Sequence, residues 1–251
     1  MTNHSAASSA MNSSHVLVAL ATYNEIGNLP GLVDAIETVL PEAEVLVVDD
    51  NSPDGTGRWC DERLATDSRF HCIHRPGKQG LGAATLAAMQ FALNKSYDVV
   101  VTMDADWSHD PQFLPALMTA TEHADVALGS RYCAGGTIDS WPLPRRVGSR
   151  LMNRLSRALL RLPVRDSSGA FRAYRVTALR RIDLMNIRSK GYAYLEEILW
   201  HLYRTGAMLV EVPITFHKRR AGRSKINLHE ALDKVATLVR LAYSKQDRPT
   251  D

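Results

Sequence analysis

No stretch of this 251-residue chain is apolar for long enough to cross a bilayer, so its sequence offers no helical membrane span. Cysteine is scarce. Cys60, Cys72 and Cys133 lie far apart, without the spacing of metal ligands or of a disulfide framework, which points to a reducing compartment. Neither sign of charge dominates: the formal net charge is +3, and no nucleic-acid ligand is expected. Residues 1–14 are small and polar, without the apolar centre of a signal peptide, and they read as a disordered tail. There is no internal repeat and no linker between independent domains. What remains is an ordinary soluble composition, 45% hydrophobic and 23% charged, with ample core for one large α/β domain or two small ones.

Short apolar runs alternate with helical segments. Strands are expected at 15–21, 44–48, 70–74, 98–103 and 124–128, and a further one at 208–212 ended by Pro213. Between them, Asn28 and Pro30 read as cap and first turn of a helix to about Leu40. Asn51-Ser52-Pro53-Asp54-Gly55 is turn chemistry before a helix carrying Trp59 and Leu64. Gly77–Gly82 opens a helix over 83–94, and Pro111 starts another to about Glu122. The second half reads as mostly helix: 145–161, a polar insertion at 166–172 before more helix, then 194–204. A basic loop over 216–224 leads to a last helix capped by Asn227. The pattern predicts a mostly parallel sheet with helices on both faces, and hence a ligand edge at the carboxyl ends of the strands.

Acids gather where the strands end. Glu25 follows the first strand, Asp49 and Asp50 the second, and Asp104 and Asp106 the fourth. Two aspartates at i and i+2 beyond a strand edge make a hard oxygen site suited to Mg²⁺ or Mn²⁺, whose other ligands are substrate phosphates. The competing reading of such a pair is a helix N-terminus, and for Asp49 and Asp50 it is simple turn-making. The glycine loop lacks the Lys-Ser/Thr ending of a P-loop and the spacing of a dinucleotide fingerprint. Arg131, Arg145, Arg219, Arg220, Arg223 and Lys225 come from three segments, and guanidinium forks suit phosphate oxygens. The arginines of 150–161 read as a solvated face, with the surface of an anionic leaflet as the functional rival.

Taken together these pieces resemble the family-two glycosyltransferases of GT-A fold, and within them the dolichyl- or polyprenyl-phosphate mannose synthases. The matching stretches are Ala21-Thr22-Tyr23-Asn24-Glu25, VVDDNSPDGT at 47–56, GLG at 80–82, Asp104-Ala105-Asp106 and GSRY at 129–132. Further on come Trp141-Pro142, Ser168-Gly169-Ala170-Phe171-Arg172, Gly191-Tyr192, Glu211-Val212-Pro213-Ile214 and Arg219-x-x-Gly222-x-Ser224-Lys225. They run in the family's order over nearly the whole chain. The resemblance implies a GT-A domain over 15–226, with a C-terminal amphipathic helix and tail over 227–251. It implies that Ala21, Tyr23, Glu25, Val48 and Asp50 hold the guanosine. Asp104 and Asp106 would bind Mg²⁺ or Mn²⁺ and, with Ala105, the diphosphate-sugar, while Arg131 and Arg145 hold a lipid phosphate. Arg219 and Lys225 would close a loop over the donor. Three positions depart from the pattern. Ala21 replaces the usual Pro. Ser108, taken with Asp104 and Asp106 as a metal position, stands where some members carry a Gln that helps bind metal, so a water is expected to fill that place. Ala170 is an extra residue.

The activity so implied is inverting transfer of mannose from GDP-mannose to a polyprenyl monophosphate, in the cytoplasm and peripheral at the inner face of the membrane. Two rivals stand beside it: another sugar, such as glucose from UDP-glucose, and a non-catalytic subunit that recruits a membrane-protein partner. The last helix carries Lys234, Arg240 and Lys245 near its apolar stripe. It therefore has two readings, a membrane-surface helix or one packed on the sheet.

Overall fold

The computed structural model describes residues 14–139, 141–189, 191–219 and 228–244. In chain order its strands are β1 (Val16–Thr22), β2 (Glu44–Asp49), β3 (Phe70–His74), β4 (Val99–Asp104), β5 (Val126–Ser130), β6 (Thr137–Ile138), β7 (Arg172–Arg175), β8 (Leu209–Pro213) and β9 (Thr215–Phe216). The helices are α1 (Leu29–Val39), α2 (Thr56–Leu64), α3 (Leu81–Asn94), α4 (Leu114–Thr121), α5 (Leu143–Leu160), α6 (Val176–Leu179), α7 (Tyr194–Arg204) and α8 (Leu228–Tyr243). Seven strands form one sheet in the order β3-β2-β1-β4-β7-β5-β8, and β6 pairs with β9 in a small parallel ribbon. The order reverses between β1 and β4, which makes the crevice beyond their carboxyl ends the expected ligand site of an open sheet. Register places Ala21 opposite Val48 on one side and Asp104 on the other.

The central strands are buried on both faces, as their unbroken Val, Leu and Ala runs require. Alternate residues serve two layers. Leu17, Ala19, Leu46, Val48 and Val100 face α3, α7 and α8, whereas Val18, Leu20, Val45, Val47 and Val101 face α1 and α4. In α1, Leu29, Leu32, Val33 and Ile36 form one helical stripe, each worth about 1.5–3 kcal/mol when fully buried. On the other face α3 lies close to α7. A Cβ at Gly82 would stand 2.9 Å from the Tyr194 ring, so the glycine is needed for the approach.

The sequence expectations hold for fold class and for most elements, with shifts of a residue or two at their ends. Three local readings change. The polar insertion is followed first by β7, antiparallel to both β4 and β5 in the middle of the sheet, and only then by the short helix α6. Asn28 does not cap α1 through its side chain, which donates instead to Glu25 Oε2 at 2.8 Å. Pro111 opens a 3₁₀ turn, Pro111–Phe113, before α4. The last helix is packed: Leu238 and Leu241 are buried in the α3/α7 layer, Lys234 reaches Glu196 at 2.6 Å and Arg240 reaches Glu197 at 3.0 Å. No described helix is long and apolar enough to cross a membrane. The disordered-tail expectation (1–13), the Asn227 cap, Arg220, Arg223, Lys225 and Lys245 lie outside the described residues.

Candidate active site

Each strand that ends at the crevice passes directly into a tight turn. Asn24, Asn51 and Trp107, after β1, β2 and β4, adopt left-handed backbones with φ of 63°, 59° and 65°. For a bulky tryptophan that conformation is strained and needs support. Trp107 Nε1 donates to the Asn28 carbonyl at 3.2 Å, and the Asp106–Ser108 turn closes through Ser108 N–H and Oγ, both on Asp106 Oδ1 at 3.0 and 2.6 Å. The turns after β1 and β2 are stapled together by Asn24 N–H to Ser52 Oγ and Ile26 N–H to Asp54 Oδ2.

Asp49 and Asp50 part company. Asp49 makes the turn, accepting from Thr22 Oγ1 and from Ser52 N–H and Oγ. Asp50 instead faces the crevice wall, where Gln79 N–H donates to its Oδ2 at 3.2 Å. Its Oδ1 lies 2.9 Å from Arg75 Nη1, close enough for an ion pair but without hydrogen-bond alignment for either atom. The glycine loop therefore folds onto the ends of β1 and β2, and Lys78 sits 4.2 Å above the Tyr23 ring.

Glu25, Asp104 and Asp106 form an acidic crowd. Burial raises the Glu25 pKa, and the charges of Asp106 and Asp104 raise it further. Burial likewise raises Asp104, partly offset by Arg219 and Arg131. The Arg219 guanidinium stands 2.7 Å from Asp106 Oδ2, a positive group where the carboxylates call for one. Among the described residues there is no cluster of three or more His, Cys, Asp or Glu side chains able to enclose a metal. Two carboxylates with the remaining positions open suit Mg²⁺ or Mn²⁺ bound together with phosphate oxygens, so the donor set fits such an ion. His109 was not singled out from sequence. It is buried, accepts the Asp104 N–H on Nδ1 at 3.0 Å, and burial pushes its pKa far down, so the neutral ring holds the end of β4 in place.

Beside the acids lies a cationic crowd. Arg131 is buried, with Nε and Nη2 each 2.7 Å from the Asp166 carboxylate and Nη2 also 2.9 Å from Ser168 Oγ. The Asp166 carboxylate takes the Arg131 backbone N–H as well, at 2.9 Å. Arg145 stacks 3.9 Å from the Trp141 ring centre. Burial, then the like charges of Arg219 and Arg131, hold its pKa below the usual guanidinium value. Trp141 and Phe216 meet edge to face at 5.3 Å, forming an aromatic wall against Arg131. The wall is joined to the acidic turn, because His109 and Phe216 form a β-bridge and His217 N–H donates to the Ser108 carbonyl at 3.0 Å.

The structure thus brings Ala21, Tyr23, Glu25, Val48, Asp50, Asp104, Asp106, Arg131, Arg145 and Arg219 to one edge. Ala21, Val48 and Asp104 line one small cavity. Ala105 is buried in the α1/α4 layer, between the two aspartates. The Ser108 hydroxyl is committed to the Asp106 carboxylate rather than standing as a free donor atom. The extra Ala170 is accommodated, its carbonyl accepting from Thr102 Oγ1 at 2.8 Å. Asp166 and Arg75 escaped the sequence reading because their partners are distant in the chain or carry no motif.

A family model described as Glycosyl transferase family 2 matches residues 17–183. Among curated proteins, the chain is 46% identical over 225 residues to the polyprenol monophosphomannose synthase of Mycolicibacterium smegmatis, covering 88% of this chain and 85% of that protein. It is 45% identical over 212 residues to the undecaprenyl-phosphate mannosyltransferase of Micrococcus luteus, covering 84% and 87%. Among solved structures, glucosyl-3-phosphoglycerate synthase from Mycobacterium tuberculosis, in complex with Mn²⁺, uridine diphosphate and phosphoglyceric acid, superposes with a TM-score of 0.67. Its identity is 20%, over 92% of this chain and 79% of that one. The mannosyltransferase PcManGT from Pyrobaculum calidifontis, in complex with GDP-Man and Mn²⁺, gives 0.57 at 18% identity, over 95% and 65%. At these identities the structural likeness speaks for the fold.

Proposed function

Because the chain belongs to glycosyl transferase family 2, we propose that it transfers mannose from GDP-mannose to a polyprenyl monophosphate, with inversion at the anomeric carbon, giving polyprenyl-phosphate mannose and GDP. The observation that carries this reading is the pairing of an acidic and a cationic crowd on one sheet edge. Asp104 and Asp106, with Glu25 beside them, suit the donor side with its metal-bound diphosphate, and Arg131 and Arg145 suit a second, separate phosphate. The names of the two curated relatives support both the mannosyl group and the polyprenyl phosphate acceptor.

In this reading Ala21, Tyr23, Glu25, Val48 and Asp50 hold the guanosine, and the Ala105 backbone meets the diphosphate-sugar. Asp104 and Asp106 would hold Mg²⁺ or Mn²⁺, with Ser108 fixing the Asp106 carboxylate. Such an ion would supply positive charge to offset that on the departing diphosphate. A phosphate acceptor is already anionic at neutral pH, so no strong general base is needed. Arg131 and Arg145 instead hold its oxygens in line with the anomeric carbon, and their fixed placement against Asp166 and Trp141 limits the reorientation required. Arg219 and Lys225 close over the donor. A lipid acceptor brings the protein to the inner face of the membrane as a peripheral enzyme.

The test is transfer of radiolabelled sugar by the purified protein alone to a short polyprenyl phosphate, run with a panel of sugar nucleotides. Mannosyl transfer from GDP-mannose, with the β-linked product of inversion, is expected. Preference for UDP-glucose, or no turnover without a second protein, would overturn it.

A further inference from the structure

A second basic feature lies next to the crevice. Arg150, Arg154, Arg157 and Arg165 surround a cleft of about 430 Å³ whose inner wall is Arg131 and Tyr132. Arg131 is already bound to Asp166 and Ser168, and the Tyr132 hydroxyl donates to Ser149 at 2.7 Å. The four outer arginines are exposed and form no ion pair among the described residues. The sequence explains why. Residues 140–165 contain seven arginines and no carboxylate; of the two acids that flank the stretch, Asp139 pairs with His217 and Asp166 is fully buried against Arg131. A concentration of unneutralised guanidinium groups around an open cleft calls for an anionic ligand.

The helix that supplies most of these arginines also exposes apolar surface. Leu143, Val147 and Leu151 recur at i, i+4 and i+8 on its outer face and are 72, 54 and 66% exposed. Its inner face is anchored through Asn153, Ser156 and Leu160. The anchored face fixes the orientation, so the apolar stripe and the arginines beside it both point away from the sheet. By contrast, α8 packs Leu238 and Leu241 against the protein, 0 and 4% exposed, and its Lys234 and Arg240 are paired to Glu196 and Glu197.

We propose that the outer face of α5 and the arginine cleft together dock the protein on an anionic bilayer, the cleft seating the phosphate headgroup of an acidic phospholipid. The partner is chosen by charge complementarity together with the adjoining apolar stripe. A nucleic acid would use the arginines but leave Leu143, Val147 and Leu151 in water, whereas an interfacial helix buries such a stripe at the headgroup boundary. The inference rests on the lipid-acceptor reading only for the reason a membrane must be reached. It gives the enzyme a headgroup site beside Arg131 that is separate from the Asp104–Asp106 crevice, and it assigns membrane contact to α5 rather than α8.

The full chain is sedimented with vesicles of phosphatidylcholine alone or mixed with phosphatidylglycerol, in low and high salt, without sugar nucleotide or polyprenyl phosphate. Binding to the mixed vesicles, weak binding to phosphatidylcholine and release by salt are expected. The triple variant R150Q/R154Q/R157Q should lose at least ~10-fold in partitioning, and L143S/V147S/L151S should also bind weakly. V239S/Y243S, on the exposed side of α8, should bind like wild type. All these side chains are exposed, so unchanged thermal melting identifies variants that remain folded. Binding indifferent to lipid charge, wild-type partitioning of the arginine variant, loss of binding in V239S/Y243S, or capture of RNA in place of vesicles would each overturn the proposal. Vesicle binding and the transfer assay are read separately. Transfer to a short acceptor without vesicle binding removes the docking site and leaves the activity standing, and binding without transfer does the reverse.

Discussion

Replacing Asp166 by Asn isolates the support beneath Arg131. The wild-type carboxylate is fully buried and takes three hydrogen bonds of 2.7–2.9 Å from that one residue, two from the guanidinium and one from the backbone. Burial alone pushes the Asp166 pKa up, but the guanidinium charge and hydrogen bonds outweigh it and hold it below the usual 3.8. Asp166→Asn leaves the guanidinium charge buried and turns an amide NH₂ toward one of its N–H groups. Removing one partner of a buried pair costs ~3–5 kcal/mol, and the oxygen that Asn retains places the expected loss near the lower end, ~3 kcal/mol. For a chain of this size that is a fall in Tm of roughly 6–12 °C. Since the folded-state pKa is depressed, the pair's contribution is fully present above the ordinary value and fades as pH falls through the lowered one. The gap between wild type and variant should therefore close in strong acid. In the transfer assay the KM for polyprenyl phosphate should rise by at least ~10-fold, the equivalent of 1.4 kcal/mol, while the KM for GDP-mannose changes little. A variant that melts within about 1 °C of wild type and keeps its acceptor KM would refute the reasoning.

Asp106→Ala should reduce transfer by at least ~10³-fold, as loss of several kcal/mol of leaving-group stabilisation requires, and should abolish Mn²⁺ binding followed by electron paramagnetic resonance. Arg219→Ala should tighten Mn²⁺ binding in the absence of nucleotide, because Asp106 then lacks its 2.7 Å guanidinium partner; unchanged affinity would show that Arg219 does not compete with the ion. At the opposite end of the sheet, burial raises the Glu44 pKa, but hydrogen bonds from Tyr97, His15 and His71 outweigh it and hold it at about 2. Its stabilisation is complete above the ordinary carboxylate value and is lost as pH falls toward 2. Glu44→Gln should thus cost about 1–2 kcal/mol at neutral pH after allowance for solvent screening. Urea titrations across that range should show the difference vanish in acid.

The parallel half of the sheet was legible because its strands are unbroken apolar runs, each closed by an acid or a turn residue. β7 was not. Arg172-Ala173-Tyr174-Arg175 begins and ends in charge, and its apolar character comes from tertiary packing: Ala173 faces one layer, Tyr174 the other, and the buried Arg172 guanidinium donates through Nη1 and Nη2 to the Leu195 and Ser167 carbonyls. The acids at the strand ends and the arginines were found by residue type and order. Their supports were hidden, because Asp166 is 35 residues from Arg131 and His109 acts through a backbone N–H that no motif marks. Amphipathicity flagged both α5 and α8. Only packing distinguishes them, since a stripe of leucines reads alike whether it meets a core or solvent.

The bridge from Phe216 and His217 to the His109–Ser108 turn gives the molecule a mechanical consequence. The Phe216 ring that meets Trp141 edge to face and lies against Arg131 belongs to the same ribbon that pins the backbone two residues past Asp106. Push on that ribbon from the Trp141 side and the Asp106 carboxylate must feel it. In the proposed reaction the arriving phosphate and the departing diphosphate would thus be joined by a strut a few peptide bonds long, and damage to the aromatic wall should register as a change in cation affinity before any sugar has moved.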